Sequence, residues 1–249
     1  MNILLTNDDG YKASGISQLF KTLCTEHKVF LIAPKENCSG MSAAISLRKE
    51  IKVEEISDNI FSVSGTPADC SYLGLLSVIP EPIDMIVSGI NLGANLGEDI
   101  FYSGTVGAAI AGRRLNYVPI AFSVAAYNPK NLKYIAEQSL MITNQVSKLP
   151  SDQNLLVNVN FPDLPSSKIK GVRITSLGKR GVPDTPDLIR HEDSAKFYSF
   201  GPSGALLPDQ VRTDIQAIEQ NYISISILDY NLGADLVRWD FYKEVFNCE

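Results

Sequence analysis

The sequence predicts an α/β fold: a parallel sheet with helices on both faces, followed by a C-terminal extension or arm. Two observations lead to this prediction. Short apolar runs of strand length alternate with helical patterns through about the first 160 residues, which is typical of parallel strands joined by helices. The last third changes character, because residues 178–210 are rich in Gly, Pro, Asp and Ser and show no periodicity.

The elements follow from these patterns in chain order. The predicted strands are 2–6, 28–33, 45–56, 59–63, 84–88, 119–124, 155–161, 171–176 and 222–228. Helices are predicted over 14–25, 105–115 and 132–149. A further helix opens at Thr66, an N-cap followed by proline at the first helical position. A short one opens at Thr213 with a capping box. We treat residues 1–249 as one domain and 178–210 as an arm or lid ordered by contacts elsewhere.

Composition limits the function. The net charge of −6 over 249 residues gives no reason to expect a nucleic-acid duplex or an anionic membrane as partner. No apolar run approaches the roughly 20 residues that span a bilayer, and the N-terminal run is too short for a signal peptide. The four cysteines are scattered without metal-ligand spacing, which favours free thiols and a cytoplasmic location. An acidic protein that acts on a phosphorylated substrate needs a cation or backbone N–H groups to supply positive potential.

Asp8 and Asp9 are adjacent carboxylates at the carboxyl end of the first predicted strand, where open α/β sheets bind ligands. Gly10 permits the turn that would let the two side chains converge. Like charges so close repel unless a cation or a shared proton compensates them. A solvated turn is the alternative, since Asp-Gly is a frequent turn pair.

Ser39 and Asn91 stand in the loops after the second strand and after strand 84–88. If the strands are parallel, both loops open on the same edge of the sheet as the acid pair. Asp8, Asp9, Ser39 and Asn91 would then offer oxygen ligands, which suit Mg²⁺ or Mn²⁺ better than Zn²⁺. Taken singly, Ser39 and Asn91 are as well explained by loop capping.

Residues 95–107 run through a loop of small residues into an Ala/Gly-rich helix. The helix N-terminus presents unpaired N–H groups to an anion, so Ser103, Gly104 and Thr105 could surround phosphate oxygens. Simple helix capping is the alternative. The segment is no Walker loop, because Gly-Lys-Ser/Thr is missing. Lys179 and Arg180 could meet phosphate, although we favour solvated side chains.

Five motifs in order resemble the SurE family of 5′-nucleotidases (survival protein E). They are NDDG (7–10), NCSG (37–40), SGTPADCSYLG (64–74), SGINLGANLG (88–97) and YSGTVGAAIAG (102–112). NVNFP (158–162) and GVRITSLG (171–178) extend the likeness towards the C-terminus. Two departures occur: Cys38 stands where a basic residue is common, and 110–112 lacks the usual acidic residue before its glycine.

The resemblance implies a Rossmann-like fold and one divalent cation per subunit. It assigns the metal positions to Asp8, Asp9, Ser39 and Asn91, and the phosphate-binding region to the residues Asn95, Ser103, Gly104 and Thr105. It further implies hydrolysis of nucleoside 5′-monophosphates, with 3′-nucleotides and short polyphosphate as additional substrates. Homodimers or homotetramers are implied, in which C-terminal arms within about 178–249 are exchanged.

The mechanism expected from these residues is metal-assisted hydrolysis. Asp8 acts mainly as a ligand, and Asp9 orients or deprotonates the attacking water. A covalent aspartyl-phosphate route is the enzymatic alternative, but it usually accompanies an Asp-x-Asp pattern. A signalling receiver module would need an acceptor aspartate where this chain has 88–91 (SGIN). A non-catalytic metal- or nucleotide-binding protein is the remaining alternative, and it predicts binding without turnover.

Overall fold

A nine-stranded sheet forms the centre of the computed structural model, which describes residues 1–149, 154–200, 204–205, 207 and 211–230. The strands in chain order are β1 Asn2–Thr6, β2 Lys28–Pro34, β3 Val53–Ser57, β4 Ile60–Val63, β5 Met85–Leu92, β6 Ile120–Val124, β7 Leu155–Phe161, β8 Val172–Ile174, β9 Asp187–Glu192, β10 Ala195–Ser199 and β11 Ile223–Asp229. The sheet order is β3-β4-β2-β1-β5-β6-β7-β11-β8. The six central strands, β4, β2, β1, β5, β6 and β7, are parallel to one another. β3 pairs antiparallel with β4, and β11 pairs antiparallel with β7.

Helices cover both faces of the sheet, which confirms the predicted fold class. They are α1 Ser14–Leu23, α2 Pro67–Leu73, α3 Gly104–Ile110, α4 Leu132–Val146 and α5 Asp214–Glu219. α1 and α4 pack together on one face, and α2 and α3 on the other. α1 lies so close to β5 that a Cβ on Gly15 would be 2.0 Å from the Ile90 carbonyl oxygen. The central strands are mostly apolar because they are buried on both sides, and the polar residues within β5 and β7 include Ser88, Asn158 and Asn160, all buried.

Several local predictions are confirmed, and two strands are shorter than predicted, since the strand predicted over 171–176 forms only over Val172–Ile174. The Thr66 side chain caps α2 and the Thr213 side chain caps α5, each in a capping box. The strand predicted over 45–56 forms only at β3. Its first part is held instead at the start of α2, where the Ser46 N–H donates to Asp69 Oδ1 at 3.0 Å and Thr66 Oγ1 donates to the Ala44 carbonyl.

The helix predicted over 105–115 is also shorter, because α3 ends at Ile110 and turns follow it. Gly112 lies in these turns, where a Cβ would be 3.0 Å from Ile86 Cβ on the neighbouring strand. The chain after Ile110 packs closely against Ile86 of β5, and α3 does not continue there.

Residues 187–199 contain regular structure that the sequence patterns did not reveal. β9 and β10 form an antiparallel hairpin outside the main sheet, and Asp193 at its turn has φ 47°. Every side chain of the two strands is exposed. By contrast, β11 returns to the central sheet beside β7. None of the helices in the described ranges is long and apolar enough to cross a bilayer.

Candidate active site

The acid pair lies where the ends of three parallel strands meet. β1 stands between β2 and β5, so the loop after it touches the loop after β2 and the last residue of β5. The Cys38 N–H donates to the Asp8 carbonyl at 2.7 Å, and the Leu92 N–H donates to Asp9 Oδ2 at 2.9 Å. Asn7 shapes the turn by bonding both the N–H and the carbonyl of Gly10, whose φ is 102°. The acid pair therefore meets the loop after β2 and the end of β5. Asn91, which was predicted in a loop after strand 84–88, lies within β5, because this strand continues to Leu92.

Asp8 is buried against the start of α3, with 3% of its surface exposed. Its Oδ1 accepts a 2.5 Å hydrogen bond from Thr105 Oγ1. Gly104 packs directly on it, because a Cβ there would be 2.8 Å from Asp8 Cβ. Burial raises the pKa of the Asp8 carboxyl to about 6; the Thr105 hydrogen bond opposes the rise and the charge of Asp9 adds to it.

Asp9 is more accessible than Asp8 and turns towards β5 and the loop after β2. Besides the Leu92 N–H, it accepts a weak hydrogen bond from Asn37 Nδ2 at 3.5 Å. Burial raises the pKa of the Asp9 carboxyl, and the bond from Leu92 opposes that rise. In the described part of the chain, neither carboxylate forms an ion pair with Lys or Arg. The site therefore concentrates negative charge without a protein counter-ion.

Asn91 and Ser39 flank the acid pair on its two sides. Asn91 Nδ2 donates to the Gly93 carbonyl at 2.8 Å, which leaves the amide oxygen as the group able to bind a cation. Ser39 is exposed, and its N–H donates to Asn37 Oδ1 at 2.9 Å, so one asparagine contacts both Ser39 and Asp9. Sequence reasoning quoted Asn37 within a motif but gave it no role.

The residues predicted to meet phosphate divide into two groups. Ser103 caps α3, its Oγ accepting from the Val106 N–H at 3.1 Å, and the Thr105 hydroxyl is engaged with Asp8. The first N–H groups of the helix, at Gly104 and Thr105, are left without partners inside the helix. Asn95 lies on the β6–β7 side, where its Nδ2 donates to Ser123 Oγ at 2.7 Å.

A buried polar network fixes Asn95 in place. Asn158 and Asn160 on β7 both donate from Nδ2 to the Asn95 carbonyl at 2.9 Å, and the Asn95 N–H donates to Asn160 Oδ1 at 2.9 Å. All three are buried. The alternation of β7 predicted a strand, but it gave no sign that these two asparagines support a loop after β5.

A second missed element is the junction between the site loop and the base of the hairpin. Buried Asp214 accepts from the Gly97 N–H at 2.7 Å and from the Gly178 N–H at 2.8 Å. Arg180 forms an ion pair with Asp99 at 3.0 Å, and its N–H donates to Glu98. The interpretation of Arg180 as a solvated side chain is therefore wrong. The residues it holds belong to the 3-10 turn Gly97–Tyr102, which leads directly into Ser103.

The donor set suits a hard divalent cation. The described residues contain no cluster of three or more His, Cys, Asp or Glu side chains that could hold a metal, so a site here would combine both carboxylates with Asn91 and Ser39. These groups supply only oxygen ligands, the preference of Mg²⁺ and Mn²⁺. The uncompensated charge of Asp8 and Asp9 is the feature that a cation would neutralise.

Comparisons with known proteins identify the family of the chain. The family model described as "Survival protein SurE" matches residues 3–184. A protein named 5′-nucleotidase SurE from Vesicomyosocius okutanii is 38% identical, covering 93% of this chain and 92% of its own length. A protein of the same name from Pseudoalteromonas atlantica is 38% identical, covering 96% of this chain and 98% of its own length. The crystal structure of the SurE protein from Aquifex aeolicus aligns with a TM-score of 0.85 at 32% identity, over 99% of this chain and 100% of that one. The chain belongs to the survival protein SurE family.

Proposed function

We propose that the protein is a divalent-metal-dependent 5′-nucleotidase that hydrolyses nucleoside 5′-monophosphates to nucleoside and phosphate. The observation that carries the proposal is the direct contact between the acid pair and the start of α3: Thr105 donates to Asp8, and Gly104 packs on it. A cation-binding carboxylate and a set of N–H groups suited to phosphate thus share one place. The names of the relatives support the same activity.

Asp8, Asp9, Ser39 and Asn91 would hold one Mg²⁺ or Mn²⁺. When bound, the cation would supply positive charge beside the phosphate oxygens and lower the pKa of a neighbouring water. Asp8, buried and fixed by Thr105, serves as a rigid ligand. Asp9 is the more accessible carboxylate, with a raised pKa, and it orients or deprotonates the attacking water.

The phosphate would lie against the start of α3. The backbone N–H group of Gly104 stabilises charge on the transferring oxygens, which is the usual contribution of a preorganised anion site. The backbone N–H of Thr105 instead bonds to the Asp8 carboxylate. The Thr105 hydroxyl donates to Asp8 and therefore shapes this loop. The Ser103 oxygen accepts from the Val106 N–H, which leaves its hydroxyl proton to donate to a phosphate oxygen. Asn95, fixed by the β7 asparagines, borders the same space.

The substrate range and the assembly are part of the proposal. Nucleoside 3′-monophosphates and short polyphosphate would be further substrates, since each presents a terminal phosphate to the same loop. The subunits would form a homodimer or homotetramer through the exposed β9–β10 hairpin. A cytoplasmic location stays a prediction from the sequence.

The test is phosphate release from a panel of nucleoside 5′- and 3′-monophosphates with Mn²⁺ or Mg²⁺, and again with EDTA. We expect turnover that EDTA abolishes and added metal restores. Asp9→Asn should lower kcat on the order of 10³-fold, a loss of several kcal/mol of transition-state stabilisation. Asp58→Asn, in the exposed turn between β3 and β4, is the matched control. Nucleotide binding without turnover would instead establish a binding protein, and near-normal activity of Asp9→Asn would refute the role of Asp9.

A further inference from the structure

Tyr127 is an exposed aromatic side chain beside the site that neither the fold nor the proposed chemistry uses. It stands in the loop after β6, next to the end of β5 in the sheet, and 82% of its surface is exposed. We propose that its ring is the platform on which the base of the nucleotide stacks. The inference rests on the proposed nucleotidase activity and assigns the residue that distinguishes a nucleotide from other phosphomonoesters.

The position of the ring follows from its contact with Gly93. A Cβ on Gly93 would lie 3.3 Å from Tyr127 Cε1 and 3.7 Å from Asn91 Nδ2. The bare glycine, with φ 139°, therefore makes room for the ring on one side and the Asn91 amide on the other. The Asn91 side chain is held beside this glycine, because its Nδ2 donates to the Gly93 carbonyl. Gly93 therefore separates the Tyr127 ring from the side chain of Asn91, a proposed metal ligand.

The loop that carries Tyr127 is fixed at both ends. At its start, the Ala125 N–H donates to the Phe161 carbonyl at 2.8 Å. At its end, the N–H groups of Lys130 and Asn131 both donate to the Asp163 carboxylate. A ring carried on such a loop loses little conformational freedom when a ligand stacks on it, and preorganisation of this kind favours binding.

The chemistry of the substrate matches this placement. A nucleoside monophosphate whose phosphate lies against α3 and Asn91 must place its base one ribose away, near the rim of the site. Every base offers a flat π surface, and stacking on a tyrosine ring is favourable without requiring a particular base. A single exposed aromatic ring is ordinary on a protein surface; this one is singled out by its fixed loop and by its position beside Gly93, which follows the end of β5 that carries Asn91.

Two other exposed aromatic residues border the site from the opposite side. Phe101 and Tyr102 precede Ser103, and their carbonyl groups accept hydrogen bonds from Ser42 in the loop after β2. Their side chains are 65% and 71% exposed. Tyr102 is therefore the appropriate comparison residue, since it is also largely exposed and adjoins the phosphate loop rather than Asn91.

The experiment compares a nucleotide with the same phosphate and sugar lacking a base. Steady-state kinetics are measured for adenosine, guanosine, cytidine and uridine 5′-monophosphates and for ribose 5-phosphate, with Mn²⁺, in wild type, Tyr127→Ala, Tyr127→Phe and Tyr102→Ala. We expect Tyr127→Ala to raise KM for the nucleotides about tenfold, more for purines than for pyrimidines, with kcat little changed. Its kinetics with ribose 5-phosphate should match those of wild type, and Tyr127→Phe should restore the preference for nucleotides.

The outcomes separate the two proposals. If wild type hydrolyses neither nucleotides nor ribose 5-phosphate, the proposed activity fails and the role of Tyr127 fails with it. If wild type is active and Tyr127→Ala loses equally on all substrates, or loses nothing, only the stacking role is overturned. A base-dependent loss in Tyr102→Ala but not in Tyr127→Ala would overturn it as well, and would place the base on the other side of the site.

Discussion

At the scale of single residues, Asp8 shows how the site opposes the stability of the fold. Its carboxyl is buried beside another carboxylate and has no cationic partner in the described structure. Its hydrogen bonds come from the Thr105 hydroxyl and from the backbone of Asp8 and Thr105. The folded-state pKa of about 6 lies above the ordinary value of 3.8, so the folded protein binds this proton more tightly than the unfolded chain. Without metal, stability therefore falls as the pH rises through this interval, and the loss remains above pH 6.

The first prediction follows from that sign. Asp8→Asn removes the buried charge while its amide oxygen can still accept from Thr105, so metal-free protein should become more stable at pH 8 by about 1–3 kcal/mol. The gain should shrink towards pH 4, where the wild-type carboxyl is protonated. Denaturant unfolding with EDTA at both pH values measures it, with Asp58→Asn as the control. A gain of equal size at pH 4 and pH 8 would contradict the role of charge. Activity should be lost in the same variant.

Gly104 gives a second prediction at this scale. A methyl group there would stand 2.9 Å from Asp8 Oδ2 and closer still to its Cβ, so Gly104→Ala must displace the buried carboxylate. We expect Mn²⁺ affinity and kcat/KM to fall by about 100-fold, with a stability cost of roughly 1–3 kcal/mol from overpacking. Gly181→Ala is the matched control, because its nearest neighbour is 3.6 Å away. Metal titration and kinetics that resemble wild type would show that Asp8 has room to move.

At the scale of elements, the strands of the sheet could be predicted from the sequence, whereas the long-range hydrogen bonds that position the site residues could not. β1 is a buried run that is almost wholly apolar, and β7 alternates apolar residues with asparagines, so both patterns predict strands. The rule for parallel strands brought Asp8, Asp9 and Asn91 to one edge. The bond from Thr105 to Asp8 spans 97 positions, and no local pattern signals it. The hairpin escaped prediction because both its faces are exposed, so its side chains show no alternation.

The junction built on Asp214 is testable at this scale. Its carboxylate accepts from the N–H groups of Gly97, Gly178 and Ile215, and thereby fixes the 3-10 turn that leads into the phosphate loop. Asp214→Asn places an NH₂ group against one of these donors, which should cost about 1–3 kcal/mol of stability. We expect kcat/KM to fall about tenfold. Mn²⁺ affinity should be retained, because Asp8 is held by the Thr105 hydroxyl and Asp9 by the Leu92 N–H of β5, and neither bond involves Asp214.

Unfolding and kinetic measurements on Asp214→Asn need a control from the same helix. Glu219→Gln serves, since Glu219 is exposed at the end of α5. A parallel loss of metal affinity in Asp214→Asn would mean that the junction supports the whole site rather than the phosphate loop alone.

At the scale of the whole molecule, the β9–β10 hairpin is the feature that a single subunit does not explain. An isolated two-stranded hairpin is at best marginally stable in water. This one exposes Leu188 and, directly opposite in the register, Tyr198, with 52% and 59% of their surfaces accessible. Arg190 stacks on Phe197 and pairs with Glu192, but these exposed contacts contribute little. A second subunit that covers the apolar pair would supply the missing burial.

The last prediction concerns this surface. In the double variant Leu188→Lys with Tyr198→Lys, two like charges would replace the apolar pair, so the subunits should dissociate with a Kd raised at least tenfold. Sedimentation velocity across a concentration series measures the shift. Leu76→Lys, at a leucine on the body of the protein that is even more exposed than Leu188, is the control and should sediment like wild type. Because the phosphate loop connects to the hairpin base through Asp214, dissociation should also lower kcat/KM. A double variant that sediments unchanged, or a wild type that is monomeric throughout the series, would remove the hairpin from the assembly.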